Sequence, residues 1–173
     1  ILEDIKQSLL SFGVHFNSWF AESSLYQEDM IKKVLDKLQK MGYTYDANGA
    51  LWLKTTAFGD DKDRVLIREN QIPTYFTGDI AYHCSKYNRG YEILVDLWGA
   101  DHHGYVGRIK AVAEAFGLDK NNLVFIIFQM IRLMKNGKAQ KVSKRGGNTI
   151  SLEKLIQLTG KDAAKYIILS YDY

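Results

Sequence analysis

A loop rich in cations and glycine carries the residue types that bind a polyphosphate. It runs from Lys138 to Asn148 with the sequence KAQKVSKRGGN, in which four cations accompany Ser143 and two glycines. Lysine side chains supply mobile positive charges, and glycine lets backbone N–H groups approach phosphate oxygens closely. The loop therefore predicts binding of a polyphosphate.

A second candidate site follows an apolar segment at residues 93–98. The sequence Gly99-Ala-Asp101-His102-His103-Gly104 places a carboxylate and two imidazoles together. In open parallel α/β sheets, ligands bind at the carboxyl ends of strands, and this loop leaves such an end. One alternative is that Asp101 and His103 only cap the following helix.

A metal-dependent hydrolase is another alternative for this loop. Asp101, His102 and His103 are all metal-ligating residue types. However, zinc sites need three or four convergent ligands, and consecutive residues rarely converge on one ion. The sequence therefore predicts no dedicated metal site.

The third candidate site lies at residues 74–79, with the sequence TYFTGD. Tyr75 and Asp79 are four positions apart, so they share a face if a helix begins here. A phenol beside a carboxylate is a suitable receptor for a guanidinium or ammonium group. The alternative is a carboxylate that only complements the helix dipole, next to a half-buried tyrosine.

Composition places the chain among globular proteins. Its 173 residues include 46% hydrophobic and 25% charged residues, and the net charge of +3 permits an RNA partner without requiring one. A single cysteine excludes an internal disulfide and fits a reducing cytosol. Because no apolar run is long enough to span a bilayer, we expect no membrane partner and a cytoplasmic location.

Hydrophobic periodicity predicts an α/β fold interrupted by antiparallel hairpins. A capping box at Ser24 is expected to begin the second helical region, and Gly42 to end it. Helices are predicted at 1–12, 24–41, 77–89 and 105–116, and from Ser151 and Asp162 onward. Strands are predicted at 14–20, 43–45, 50–54, 65–68, 73–76, 93–98 and 123–128, with a further hairpin at 132–142.

Three longer motifs follow one another along the chain: TYFTGDIAYH at 74–83, DLWGADHHGY at 96–105 and KVSKRGGN at 141–148. Their order and spacing resemble the bacterial type of arginyl-tRNA synthetase. Residues 141–145 are similar to the Lys-Met-Ser-Lys-Ser signature of class I synthetases, with Val142 and Arg145 replacing its methionine and last serine. The similarity extends over essentially the whole chain.

The resemblance implies a Rossmann-like parallel-sheet half of a class I catalytic domain, with an inserted antiparallel hairpin region. Residues 1–73 would be the end of the connective insertion, and residues 74–173 the second half of the catalytic domain. No segment resembles the His-Ile-Gly-His element of the family. We therefore expect the C-terminal half of a catalytic domain, which by itself does not activate arginine and which self-associates through an exposed sheet edge.

By resemblance, the function is ATP-dependent activation of L-arginine, followed by transfer to tRNA(Arg), with Mg2+ arriving on ATP. The implied catalytic residues are Lys141, Ser143 and Lys144. The implied arginine-binding residues are Tyr75, Asp79 and His102. The implied ATP-binding residues are Gly99, Asp101, His102, Lys141, Val142 and Lys144. The alternative is a non-catalytic arginine- or RNA-binding module of the same fold.

Overall fold

The computed structural model describes residues 1–129, 134–135, 138–139 and 151–170. The chain forms two compact units, one made of Ile1–Trp19 with Gln129–Tyr173 and one made of Phe20–Phe128. The helices are α1 (Leu2–Phe12), α2 (Ser24–Gln27), α3 (Met30–Lys40), α4 (Tyr75–Tyr87), α5 (Val106–Ala115), α6 (Leu152–Thr159) and α7 (Lys161–Ser170). The strands are β1 (Thr44–Ala47), β2 (Ala50–Leu53), β3 (Arg64–Ile67), β4 (Leu94–Gly99), β5 (Leu123–Phe128), β6 (Met134–Lys135) and β7 (Lys138–Ala139). The domain boundary predicted after residue 73 falls inside the larger unit and stays a prediction.

The larger unit contains the predicted antiparallel hairpin. Strands β1 and β2 pair from Thr44 opposite Leu53 to Ala47 opposite Ala50. The two turn residues, Asn48 and Gly49, have φ values of 52° and 72°. Two-residue hairpin loops favour positive φ at both positions, because that twist matches the flanking strands. The hairpin prediction is therefore confirmed, and β3 extends it to three antiparallel strands.

The second hairpin, predicted between residues 65–68 and 73–76, is wrong except for one bridging pair. Ile67 pairs with Pro73 in isolation, and α4 begins where a strand was expected. Thr74 is the N-cap residue, and its hydroxyl donates to the carbonyl of Val65 at 2.8 Å. Its own carbonyl accepts the backbone N–H groups of the first helical turn. This anchoring to β3 starts the helix two residues earlier than predicted.

A parallel pair of strands confirms the α/β prediction. Strands β4 and β5 pair in register from Leu94 opposite Leu123 to Gly99 opposite Phe128. Parallel neighbours need a long crossover, and here α5 lies between them in the chain. The inner face buries Leu94 and Leu123, whereas Val95 and Leu97 on the other face are 51% and 63% exposed.

Helix α4 is held against the core of the larger unit. Ile80 and Ala81 are completely buried, next to Asp79 in the sequence. Because burial fixes the rotation of a helix about its axis, these two residues set the direction of the Asp79 side chain. The core comprises Leu25, Ile31, Val34, Leu38, Leu53, Leu66, Phe76, Ile80, Ala81, Leu94, Ile109, Val112, Ala113, Phe116 and Leu123.

Two local predictions before α3 are wrong. Residues 14–20 form no strand. Instead, the rings of Phe16 and Trp19 meet edge to face at 5.3 Å, and the Lys6 ammonium lies 5.5 Å from the Trp19 ring. Ser24 does not form a capping box, because it lies inside α2 and its hydroxyl donates backward to the carbonyl of Ala21 at 2.7 Å.

The smaller unit joins three helices and a short hairpin. Gly13, with φ of 82°, ends α1, and the Ser8 hydroxyl of that helix hydrogen-bonds Glu153 of α6. Ser151 caps α6 as predicted, since its hydroxyl accepts the Lys154 N–H at 3.2 Å. Of the hairpin predicted at 132–142, the described residues form β6 paired with β7, and the other positions lie outside the described residues. Across the residues that the structure describes, none of the helices could cross a bilayer.

An ion pair closes the charged loop before β3. The Arg64 side chain donates from Nε to Asp60 Oδ2 at 2.7 Å and from its terminal nitrogen to Asp60 Oδ1 at 2.9 Å. The Asp60 side chain is only 6% exposed. The Arg64 guanidinium lowers the pKa of Asp60 from 3.8 to about 2. The pair therefore stabilises the folded state when Asp60 is ionised.

We predict that Asp60→Asn lowers the free energy of unfolding at pH 7 by roughly 2 kcal/mol, which corresponds to the shift in pKa. Since the folded pKa is depressed, the contribution is present above the unfolded pKa and is lost as the pH falls from about 4 to about 2. Urea unfolding of the wild-type chain and of Asp60→Asn across this pH range measures the difference in the free energy of unfolding. Asp61→Asn is the control, because Asp61 also contacts Arg64 but is 72% exposed. Equal losses in the two variants would contradict the prediction.

Candidate functional site

Asp79 is a half-buried carboxylate among the predicted site residues. It lies in α4, and the phenol of Tyr105 donates to its Oδ2 atom at 2.9 Å. Burial raises the pKa of Asp79, whereas the Tyr105 hydrogen bond and the charges of His83 and His102 oppose that rise. The structure therefore brings two predicted site residues, Asp79 and His102, within electrostatic range of each other.

A cavity of about 210 Å³ opens beside Asp79. Its other lining residues are Phe20, Glu22, Leu25, Gly78 and Tyr82. The Phe20 and Tyr82 rings lie 4.6 Å apart between centroids. Glu22 is close enough to raise the pKa of Asp79 further through charge repulsion. Two carboxylates bordered by aromatic rings suit a cationic ligand, and a guanidinium in particular.

Tyr75 does not share this cavity. It is the first residue of α4 and is 82% exposed. Helical spacing alone relates it to Asp79, so its role in binding stays a prediction. The alternative of a half-buried tyrosine is wrong, because the side chain projects largely into solvent.

The predicted loop after β4 is a turn of 3-10 helix at Ala100–Tyr105. A Cβ at Gly99, just before this turn, would lie 2.7 Å from Asp101 Oδ1, so a larger residue there would require the exposed Asp101 side chain to shift. His102 is exposed, and its Nε2 atom lies 3.6 Å from Asp101 Oδ2. Helix α5 begins after this turn without a side-chain cap, so the capping alternative for Asp101 and His103 is wrong. Gly99, Asp101 and His102 thus stand at the carboxyl end of a parallel strand.

A metal site was one alternative for this turn. No group of three or more His, Cys, Asp and Glu side chains in the part of the chain that the structure describes could hold an ion. Asp101, His102 and His103 are all exposed on the turn. The metal-dependent hydrolase alternative therefore has no ligand set among these residues.

A buried polar network connects the main chain of Asp79 to strand β4. His83 Nδ1 lies 2.8 Å from the Asp79 carbonyl, and His83 Nε2 lies 2.8 Å from Asp96 Oδ2. The Lys86 ammonium also binds the Asp96 carboxylate. Since a carbonyl and a carboxylate only accept, the imidazole satisfies both when each ring nitrogen carries hydrogen. Burial alone would raise the pKa of Asp96, but the bonds from His83 and Lys86 lower it.

Trp98 links this network to the turn after β4. Its ring centroid lies 6.0 Å from that of His102, 6.1 Å from that of Tyr105 and 6.5 Å from that of His83. Phe125 on the neighbouring strand packs against it at 4.6 Å. One indole therefore contacts residues from α4, β5 and the turn.

The predicted phosphate-binding residues lie outside the described residues. These are Lys141, Val142, Ser143 and Lys144, together with Arg145. Their roles stay predictions.

Comparison with known proteins decides the family. The model of the class I tRNA synthetase catalytic domain of the arginine type matches residues 3–169. The chain belongs to this arginyl-tRNA synthetase family. It is 53% identical over 167 residues to the arginine–tRNA ligase of Staphylococcus epidermidis, covering 96% of the chain and 30% of that relative. It is 54% identical over 164 residues to the Staphylococcus aureus ligase, again covering 30% of it.

Solved structures confirm the arginyl-tRNA synthetase fold. The crystal structure of an arginyl-tRNA synthetase from Campylobacter jejuni matches with a TM-score of 0.90 and 40% identity, covering 99% of this chain and 37% of that one. The Thermus thermophilus enzyme matches with a TM-score of 0.74 at 14% identity over 96% of this chain and 34% of its own, which shows the fold alone. The family resemblance and the fold class are thus confirmed.

Sequence reasoning missed several residues that line the cavity or contact Asp79. Glu22 lies 57 positions before Asp79, and its relation to the cavity has no signal in local spacing. Tyr105 and Asp96 lie in the motif at 96–105, but the sequence indicated no role for either residue. His83 follows Asp79 by one helical turn, which could have indicated a shared face.

We predict that Asp96→Asn destabilises the fold by about 3 kcal/mol, the range for breaking a buried ion pair. The amide keeps the size of the side chain but cannot accept from both His83 and Lys86 as a carboxylate does. Denaturant unfolding at pH 7 measures the change. Glu92→Gln, an exposed neutralisation just before β4, is the matched control and should change stability little. A small loss in Asp96→Asn would show that the network is not fully formed.

Proposed function

We propose that this chain provides the arginine-binding part of an arginine–tRNA ligase. The observation that carries the proposal is the cavity in which Asp79 and Glu22 meet two aromatic rings. The relatives named above are arginine–tRNA ligases, and the cavity of about 210 Å³ offers two carboxylates to a cationic side chain. The reaction is attack of the arginine carboxylate on the α-phosphate of ATP, with release of pyrophosphate, followed by transfer to the terminal adenosine of tRNA(Arg).

The cavity selects by charge and by hydrogen-bond geometry. A planar guanidinium can bind a carboxylate with two parallel N–H donors, whereas an ammonium acts as a point charge. A neutral ureido group of the same shape leaves the partly buried Asp79 and the exposed Glu22 without a counter-charge. Arginine is therefore favoured over lysine and strongly favoured over citrulline.

The ATP side of the reaction uses residues at the end of β4 and the basic loop. Gly99, Asp101 and His102 would border the adenosine and the arginine. Lys141, Ser143 and Lys144, with Val142 between them, would neutralise the phosphates, and Mg2+ would arrive bound to ATP. Catalysis of this kind depends on positioning and on charge neutralisation. We place the enzyme in the cytoplasm, with residues 1–73 as the end of the connective insertion and residues 74–173 as the second half of the catalytic domain.

A non-catalytic arginine- or RNA-binding module is the second candidate. The chain spans 30% of the length of its curated relatives, and the cavity by itself requires only a cation. A pure binder has no use for a triphosphate clamp. Titration with ATP separates the two candidates, because binding that is lost in Lys141→Ala and Lys144→Ala favours the ligase.

We predict that calorimetric titration of the chain detects L-arginine but neither lysine nor citrulline at comparable concentration. Asp79→Asn should weaken arginine binding at least about tenfold, because it removes a hydrogen bond to a charged group. Glu22→Gln should weaken it in the same direction. Both variants keep the shape of the side chain, so a change reports lost charge.

Asp46→Asn is the control, since Asp46 is an exposed carboxylate on β1 outside the cavity. Unchanged arginine affinity in Asp79→Asn would contradict the assignment of the cavity. Binding of citrulline as tight as that of arginine would also contradict it.

We also propose self-association through the parallel sheet. Val95, Leu97 and Val124 expose apolar surface on one face of the β4–β5 pair. Exposed apolar surface of this kind favours association. Sedimentation equilibrium should show association that depends on concentration and that Leu97→Lys reduces. Leu158→Lys on α6, at a site that is 64% exposed, is the control; a monodisperse monomer at high concentration would refute the proposal.

A further inference from the structure

Tyr105 occupies a fixed position at the end of the turn that follows β4. Its ring meets the Phe76 ring edge to face at 6.0 Å and the Trp98 ring at 6.1 Å. The Arg108 guanidinium lies 5.0 Å from the ring centroid. Three neighbours from α4, β4 and α5 therefore restrict the ring, and they aim its hydroxyl at Asp79 Oδ2, 2.9 Å away.

The phenol is a permanent donor at this position. Burial and the Asp79 carboxylate raise the pKa of Tyr105 far above its usual range, and Arg108 and Arg64 only partly oppose this. The hydroxyl therefore keeps its proton at any physiological pH. Because it donates to Oδ2, Oδ1 is the oxygen left for a ligand, and Oδ1 accepts no hydrogen bond among the residues that the structure describes.

The charges around Asp79 pull in opposite directions. Glu22 and burial favour the protonated acid, while His83 on α4 and His102 on the turn favour the carboxylate. After burial, the hydrogen bond from Tyr105 is the largest influence on this balance. A protonated Asp79 would be a poor partner for a guanidinium, so the balance decides whether the cavity binds a cation.

We propose that Tyr105 is a positioning residue for substrate binding, which holds one oxygen of Asp79 and presents the other, in its ionised form, to the cation in the cavity. The inference rests on the proposed function for its substrate, arginine. It goes beyond that function by assigning the control of the Asp79 carboxylate to a residue outside the cavity lining. Tyr105 does not touch the substrate in this arrangement and acts through Asp79.

A purely structural role would also explain one hydrogen bond between α4 and the turn. Such a role predicts a loss of stability in Tyr105→Phe and a uniform loss of arginine binding at every pH. The positioning role predicts a displaced pH profile. Losing the hydrogen bond to the charged form should raise the pKa of Asp79 by about one unit or more. The acid limb of arginine binding should then move to higher pH by the same amount.

The test measures the Asp79 carboxyl carbon by NMR as the pH is varied, in the wild-type chain and in Tyr105→Phe. Its resonance is assigned by its absence in Asp79→Asn. Tyr87→Phe is the matched control, because Tyr87 lies on the same helix and its buried hydroxyl finds no partner in the described part of the chain. Circular dichroism confirms that each variant is folded. Calorimetric titration with L-arginine is then repeated across the same pH range.

A raised Asp79 pKa in Tyr105→Phe, with none in Tyr87→Phe, supports the proposal. The proposal also predicts the arginine affinity of Tyr105→Phe. Below the pKa of Asp79, the affinity should fall about tenfold for each unit by which that pKa has risen, and it should recover at higher pH. An unchanged or lowered Asp79 pKa in a folded Tyr105→Phe overturns it, as does an equal loss of affinity at every pH. If the wild-type chain does not bind arginine, the proposed function fails for the isolated chain, and the carboxyl titration alone decides the role of Tyr105.

Discussion

The hydrogen bonds of His83 connect the two elements on which the site depends. One ring nitrogen contacts the main chain of Asp79 within α4, and the other contacts Asp96 in the middle of β4. Lys86 adds a positive charge beside the same carboxylate. A buried carboxylate is costly unless it is paired, so this network is stable only when α4 lies in one position against the strand. That position is what places Asp79 at the edge of the cavity.

The cavity brings two negative charges together, and this property suits its proposed ligand. Asp79 and Glu22 repel each other, and burial adds a desolvation cost to Asp79. The surrounding structure offsets part of this through the Tyr105 hydroxyl and two histidines, without neutralising both carboxylates. A guanidinium that enters between them removes the repulsion and restores hydrogen bonds at once. The site thus gains more from a cation than a solvent-exposed carboxylate would.

Trp98 gives the two proposed subsites a common support. Its ring contacts His102, which is proposed to border both arginine and adenosine, and Tyr105, which holds Asp79. Phe125 secures the indole from the adjacent parallel strand. Arginyl-tRNA synthetases must align an amino acid with ATP before reaction, and such alignment tolerates little displacement. A shared aromatic support keeps the two groups of residues in fixed relation within the larger unit.

The sequence by itself determined the family, the α/β class, the β1–β2 hairpin and most helix ends, because these follow from motifs, periodicity and glycines such as Gly13 and Gly49 that act locally. It also indicated Asp79 and His102 as candidate binding residues, and their roles stay predictions. Only the tertiary structure decided where α4 begins, because the Thr74 hydroxyl binds a carbonyl of β3, nine residues away. Only the tertiary structure brought in Glu22 and Tyr105. Glu22 precedes Asp79 by 57 positions, and Tyr105 follows it by 26. Interactions over such separations depend on how the elements pack and not on local spacing.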